Sequence, residues 1–359
     1  MTELARTLAQ LRAQDEASFG GKSTSLGELI AGEIPVPPGF ATSTAAFEAF
    51  LAIDGLGERI AARLHGLDAE DLAAAAAASA DIALEMRRTP VPEAVAAEVE
   101  RHYRALAAAS DKRQPPVAVR SSARGEDSAQ ATFAGQQETY LWVRGTDGVC
   151  EAIRGCWISL YSPPAIAYRA QMAAADAGPP AMGVAVQAMV DAEVSGVMFT
   201  CSPLTGDPSV VAINASWGLG LGVVGGEVTP DDFLLSKVSN ELLRSTIADK
   251  QVEYVPDPGG RGTHRVAVAQ ERRTAPCLDE ERLRELVATA RLIERHFGSR
   301  QDVEWAIART GSFPENLFVL QSRPVTATAK AGSEAVADRA GLDAMSLVLG
   351  TFGVPPQRG

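Results

Sequence analysis

The residues of this chain best suited to chemistry fall into four sets. The first is Gly20-Gly21-Lys22-Ser23-Thr24-Ser25-Leu26-Gly27. Glycines let backbone N–H groups approach phosphate oxygens, a following helix N-terminus adds its positive dipole end, and a lysine in the turn supplies a compact cation. The spacing is not that of a P-loop, so a surface turn with a solvated lysine is the competing reading. The second set is Val119-Arg120-Ser121-Ser122-Ala123, followed by Glu126 and Asp127. An arginine ending a buried strand is costly unless it meets an anion, and its planar fork suits a phosphate. An ion pair with Asp127 is the alternative.

The third set is Asp302, Glu304, Gln321 and Arg323. On a strand, residues two apart share a side, so Asp302 pairs with Glu304 and Gln321 with Arg323. If the two strands pair, these groups converge between the apolar anchors Val303, Trp305, Val319 and Leu320. Carboxylate and amide oxygens suit Mg²⁺, and the arginine suits a terminal phosphate. A solvated hairpin edge is the other reading. The fourth is Gln187, a lone polar residue in the apolar run AMGVAVQAMV. It either satisfies core backbone or reads the edge of a ligand such as an adenine, with Met189 and Val190 as apolar cover.

The elements that must carry these residues divide in character near Pro115. Before it the sequence is helix-rich. Residues 2–13 have apolar positions at helical spacing, and the Gly-Gly-Lys loop leads into a helix over 23–31. Thr44 opens a helix through Leu51, Asp68 caps an alanine-rich helix ending near Arg88, and Pro92 starts another to about Ala109. After Pro115, VAVRSSA, ETYLWV and AMGVAVQAMV read as strands, the last buried on both faces. A helix over 146–160 lies between them. VSGVMFTCSP, VVAINASWGLG, DDFLLSK and GTHRVAVA are further strands. An amphipathic helix spans 279–298, and QDVEWAI and NLFVLQSRPV are two strands joined by a turn. The expected domains are 1–185, 186–326 and a linker and tail over 327–359. The fold class is α+β.

Composition bounds the partners. The chain has 359 residues, 46% of them hydrophobic and 22% charged, with a formal net charge of −12. That acidic balance argues against non-specific nucleic-acid binding. Cys150, Cys156, Cys201 and Cys277 form no C-x-x-C pair and have no histidine at metal-ligand spacing, so they read as reduced, mostly buried thiols. The charged N-terminus lacks a signal-peptide core and no apolar run is long enough to span a bilayer, which makes the cytoplasm the expected location.

Taken in order, the segments GGKSTSLGEL…IPVPPGFATSTAAFEAFL, VAVRSSARGEDSAQATFAGQQETYL, EAIRGCWISLYSPPAIAYR, AVQAMVDAEVSGVMFT, INASWGLGLGVVGGEVTPDDF and VEWAI…LFVLQSRPVT resemble the ATP-binding domain of phosphoenolpyruvate synthase and pyruvate phosphate dikinase. The similarity covers about residues 15 to 326. It implies an ATP-grasp-like fold whose two subdomains clamp ATP and Mg²⁺. By the same resemblance Lys22 and Arg120 match phosphate-holding positions, and Thr132 to Gln136 matches a loop over the phosphates. Gln187 and Met189 match the adenine-side strand, Glu304 and Gln321 match Mg²⁺ and phosphate contacts, and Arg323 matches the arginine of an LQ-x-RP ending. The sequence departs from the family at Ser23-Thr24, where Gly-Ala is usual, and at Leu221, where many relatives have Glu.

Family members pass the βγ pyrophosphoryl group of ATP to a histidine on a swivelling domain, with AMP as the first product. This chain has four histidines. His65, His102 and His296 read as solvated helical residues. His264, in GGRGTHRV, lies where relatives have a variable hairpin. The expectation is therefore that the histidine arrives on a separate partner subunit, with a further subunit for the acceptor. That arrangement most resembles the stand-alone ATP-grasp subunit of phenylphosphate synthase and implies a phenol-like or other hydroxyl acceptor. A split phosphoenolpyruvate synthase acting on pyruvate, or a non-catalytic nucleotide sensor, is the alternative.

Overall fold

Short apolar runs punctuated by Gly and Pro, alternating with alanine-rich and amphipathic segments, give this chain a mixed helix and sheet fold. The computed structural model describes residues 2–68, 71–110, 112–123, 138–171, 180–260 and 262–325. The described residues divide into two units, the first comprising 2–27, 38–123 and 138–189, and the second 28–37 and 190–325. The expected boundary at 185/186 would cut a strand, and the division instead follows Met189.

The first unit runs β1 (Ala5–Thr7), α1 (Glu16–Phe19), α2 (Gly21–Ala31, which continues past the unit's limit at Gly27), β2 (Gly39–Thr42), α3 (Thr44–Leu51), α4 (Leu56–Leu64), α5 (Leu72–Arg88), α6 (Glu93–Ala108), β3 (Val117–Ala123), β4 (Thr139–Val143), α7 (Thr146–Ser159), α8 (Pro163–Gln171) and β5 (Met182–Ala188). Its strands form one antiparallel sheet in the order β1-β2-β5-β3-β4. The run AMGVAVQAMV thus supplies a central strand, as its continuous apolar character requires. One side of the sheet builds the core: Phe40, Val117, Val119, Val184 and Val186 cluster with Phe47 and Phe50 of α3, Val99 and Tyr103 of α6, and Ile153 and Trp157 of α7. Residues 2–13 are not a helix. They form β1 and two short 3-10 turns, because edge pairing of Ala5 with Thr42 and Thr7 with Phe40 overrides their weak helical spacing. The cap of α5 is Asp71, whose side chain accepts from the Ala74 N–H at 2.9 Å, and not Asp68.

The second unit runs β6 (Ala192–Phe199), β7 (Val210–Trp217), α9 (Leu221–Val224), β8 (Asp231–Ser236), β9 (Leu242–Thr246), β10 (Val252–Pro256), β11 (Thr263–Ala267), α10 (Gln270–Arg273), α11 (Glu280–Phe297), β12 (Gln301–Ala308) and β13 (Leu317–Pro324). Six strands form an antiparallel sheet in the order β13-β12-β6-β7-β8-β9, and β10 and β11 form a separate hairpin. Asp279 caps α11 by accepting from the Arg282 N–H, and Gly298 closes the helix in the left-handed region at φ 65°. The buried stripe of α11 is Leu283, Leu286, Val287, Ala290 and Ile293. It packs against β12 and suits the fully buried sheet face that carries Met198, Ile213, Val303 and Trp305.

Beneath β8 lies an ion pair buried on both sides. Asp231 and Lys250 are each 0% exposed and in contact; Asp231 also accepts the backbone N–H groups of Ala248 and Cys277. It ties the segments before β10 and α11 to the sheet. No described helix is long and apolar enough to cross a membrane.

Candidate functional site

Two polar sets emerge, one in each unit. In the first, Lys22 sits in the opening turn of α2 rather than in a loop. Gly20, with φ at +79°, turns the chain into that helix where it lies against β3; a Cβ at this position would fall 1.9 Å from the Ser122 carbonyl oxygen. Gly183 permits a similar approach, since a Cβ there would lie 2.3 Å from the carbonyl oxygen of Phe19. The two glycines let the α1–α2 segment press directly on the sheet. As a result the Ser23 N–H donates to Ser122 Oγ at 3.1 Å, and Lys22 Nζ donates to the Ser121 carbonyl at 3.2 Å. Lys22 is only 3% exposed, so the solvated-lysine reading does not hold.

Arg120 neighbours the residue that receives Lys22, and stands half-buried opposite Ala185 on β5 and Thr139 on β4. Gln187 lies opposite Ala118 and Gly39. Because residues two apart on β3 share a face, Gln187 and Arg120 lie on the same side of the sheet. Gln187 is 3% exposed, and its Nε2 donor has no hydrogen-bond partner among the described residues. It belongs to the first unit, not to the C-terminal subdomain in which its strand was expected. Met189 follows it, and its N–H is bound to the Pro116 carbonyl at 2.9 Å. Thr132 and Gln136, like Glu126 and Asp127, lie outside the described residues.

In the second unit, β12 and β13 pair with Asp302 opposite Arg323 and Glu304 opposite Gln321. The register shifts between Glu304 and Trp305: Trp305 faces Val319, and Leu320 is left as an extra residue. Strict alternation from Val319 would carry Gln321 to the buried Trp305 face. The bulge at Leu320 instead turns Gln321 and Arg323 to the side of Asp302 and Glu304. Arg323 Nε donates to Asp302 Oδ2 at 2.9 Å, which fixes the guanidinium over the sheet. Gln321 is 6% exposed, and its Oε1 acceptor has no hydrogen-bond partner among the described residues.

An orphaned amide oxygen directly opposite a carboxylate is a hard-oxygen donor set, and it fits Mg²⁺. Among the described residues there is no cluster of three or more His, Cys, Asp or Glu that would hold a metal alone.

The same face also holds residues that the sequence reading did not single out. Asn214 on β7 donates through Nδ2 to Asp232 Oδ2 at 3.2 Å, and Arg244 on β9 donates to Asp232 Oδ1 at 2.8 Å. The available signal was a lone asparagine in the apolar run VVAIN, the same kind of signal that marked Gln187.

The histidines are placed as follows. His264 lies in the β10–β11 hairpin opposite Val255. His102 is not solvated: it is buried, its ring stacks on Phe40 at 5.1 Å, and burial followed by the nearby Arg101 charge holds its pKa below the usual 6.5. The cysteines are free thiols, with Cys156, Cys201 and Cys277 buried.

Residues 16–343 match the family model described as pyruvate phosphate dikinase, AMP/ATP-binding domain. The chain belongs to that family. Among curated relatives, the probable phosphoenolpyruvate synthase of Staphylothermus marinus is 38% identical over 342 residues, which cover 88% of this chain and 40% of the relative. The phosphoenolpyruvate synthase of Neisseria meningitidis serogroup B is 39% identical over 330 residues, covering 88% and 41%. That of Aeropyrum pernix is 38% identical over 345 residues, covering 89% and 42%. The chain thus spans less than half the length of the curated relatives it matches. The positions singled out in both polar sets fall within the matched region, and the family's description is that of an AMP/ATP-binding domain.

Proposed function

We infer that this chain is the ATP-binding part of an AMP-forming dikinase of the phosphoenolpyruvate synthase type, with an ATP-grasp-like fold. The observation that carries the reading is the β12–β13 register, which gathers Glu304, Gln321 and Arg323 on one face in a chain of this family. Adenine is read by Gln187 and Met189, and the phosphates are neutralised by Lys22 and Arg120 with help from Thr132 and Gln136. Glu304 and Gln321 hold Mg²⁺, which supplies charge neutralisation on the phosphate oxygens. Arg323, aligned by Asp302, faces the group being transferred.

The protein's part in the chemistry is positioning and electrostatics. A histidine imidazole outside these 359 residues attacks the β-phosphorus of ATP. The new N–P bond forms as the bond from that phosphorus to the α–β bridging oxygen breaks, and AMP leaves. Hydrolysis of the pyrophosphohistidine then releases phosphate and leaves a phosphohistidine for the acceptor. The names of the relatives favour pyruvate as that acceptor over the phenol-like compound suggested by the sequence. In this reading a histidine-bearing partner subunit docks to complete the reaction in the cytoplasm.

The test uses ATP labelled at the β-phosphate, this chain, and a histidine domain from a phosphoenolpyruvate synthase. AMP release with label on the histidine supports the reading. Formation of ADP by the chain alone, or no calorimetric affinity for Mg·ATP, overturns it.

A further inference from the structure

The cross-strand registers of the second unit place five side chains in one row on the Glu304 face. Gln321 is opposite Glu304, Glu304 opposite Val197, Val197 opposite Asn214, and Asn214 opposite Asp232. Opposed residues of an antiparallel sheet share a face, so every member of the row stands on the same side. Val197 alone is apolar and makes no polar claim on its neighbours. At a strand spacing of about 4.8 Å, the Asn214 backbone lies about 10 Å from that of Glu304. A glutamate side chain, a hydrated cation and an asparagine side chain together bridge that distance.

The orientation of Asn214 is settled by its partner. Asp232 offers only acceptors, so the contact at 3.2 Å must be made by the amide nitrogen. Arg244 occupies the other Asp232 oxygen, which keeps the carboxylate from rotating away. An amide that commits its nitrogen toward β8 turns its oxygen back along the row, toward Val197 and Glu304. Asn214 is 5% exposed, and among the described residues no hydrogen bond is made to its Oδ1. Asn214 Oδ1, without such a protein partner, stays open to a water molecule, in a row that already contains the buried and unpartnered Gln321 Oε1.

We propose that Asn214 is a further magnesium-site residue, its amide oxygen accepting from a water ligand of the cation held by Glu304 and Gln321, with Asp232 and Arg244 as positioning residues. This deepens the functional reading above and rests on it. No covalent step is involved. The amide contributes an acceptor without adding charge, so it stabilises the hydrated cation but leaves the charge balance to Glu304 and the phosphates.

The probe is AMP-PNP binding at stepped Mg²⁺ concentration, with Mn²⁺ followed by electron paramagnetic resonance as a direct metal readout. Asn214→Ala should raise the Mg²⁺ concentration at half-saturation about tenfold, within the range expected for outer contacts of a metal site, and leave metal-free nucleotide affinity unchanged. Asp232→Asn, which frees the Asn214 amide to rotate, should raise it similarly. The exchange Asn214→Asp with Asp232→Asn restores both the hydrogen bond and an inward oxygen, so it should return the midpoint to that of the unmodified chain or below it, the added carboxylate charge favouring the cation. This arm keeps the test sharp if Asn214→Ala proves unstable.

Midpoints for Asn214→Ala and Asp232→Asn equal to the unmodified chain, while Glu304→Gln shifts its own, overturn this inference and leave the nucleotide reading standing. Failure of the unmodified chain to bind AMP-PNP with Mg²⁺ overturns both.

Discussion

Glu304 and Gln321 stand directly opposite one another on β12 and β13, and the extra residue Leu320 is what turns Gln321 toward that side. In the proposed function the carboxylate and the unpartnered amide oxygen are the protein's share of a cation shell. Glu304→Gln removes the charge but keeps the shape. A charged hydrogen-bonding or ligating group contributes about 1.5–3 kcal/mol, so Mg·ATP affinity should fall roughly ten- to a hundredfold. Calorimetry with and without Mg²⁺ checks this, and an effect of equal size in the absence of metal would contradict the assignment.

Lys22 calls for a different substitution from an exposed lysine, because its stem is packed and its Nζ rests on the Ser121 carbonyl. Lys22→Met keeps the apolar stem and removes only the cation. Phosphotransfer to a histidine domain should drop about a hundredfold or more, the scale of removing one group that meets developing charge. The melting temperature should move by only a few degrees, because the aliphatic packing survives. A variant that folds and retains full transfer would remove Lys22 from the phosphate site.

Much of this was legible beforehand, and the failures have physical causes. The strands carrying Arg120, Gln187 and Glu304 were readable because continuous apolar runs demand burial on both faces and fix the parity of the polar exceptions. Parity could not supply the register of Gln321, because the bulge at Leu320 reverses it relative to Val319. Lys22 was read in a loop because two glycines precede it. Gly20 instead makes the turn and Gly21 begins the helix. Asn214 and Asp232 lie on different strands, and only pairing makes them neighbours. His102, flanked by charges on α6, looked solvated, yet the ring is carried into the core against Phe40.

The Asp231–Lys250 pair predicts a stability effect separate from the proposed chemistry. Both side chains are fully buried. Lys250→Met strands the carboxylate, although its hydrogen bonds to the Ala248 and Cys277 N–H groups remain. Breaking such a pair costs about 3–5 kcal/mol, whereas replacing both charges with apolar groups is often far milder. Lys250→Met alone should therefore shift the denaturation midpoint strongly, and adding Asp231→Leu should recover part of the loss. Additive losses in the double variant would show that the two charges do not stabilise one another.

His102 gives the chain a pH dependence whose sign is fixed. Burial first, and then the adjacent Arg101 guanidinium, hold the imidazole below its ordinary pKa of 6.5, with Glu98 opposing them more weakly. The folded state therefore resists a proton that the unfolded chain accepts near that ordinary value. As pH falls, the unfolded state binds more protons than the folded one, so stability from this group is full above about pH 6.5 and lost on acidification. His102→Gln has no proton to take up in either state. Between about pH 7.5 and about pH 5.5 its melting temperature should fall less than that of the unmodified chain, even if it starts lower for want of the Phe40 stacking contact. Parallel curves for the two proteins over that interval would show that another group sets the acid sensitivity.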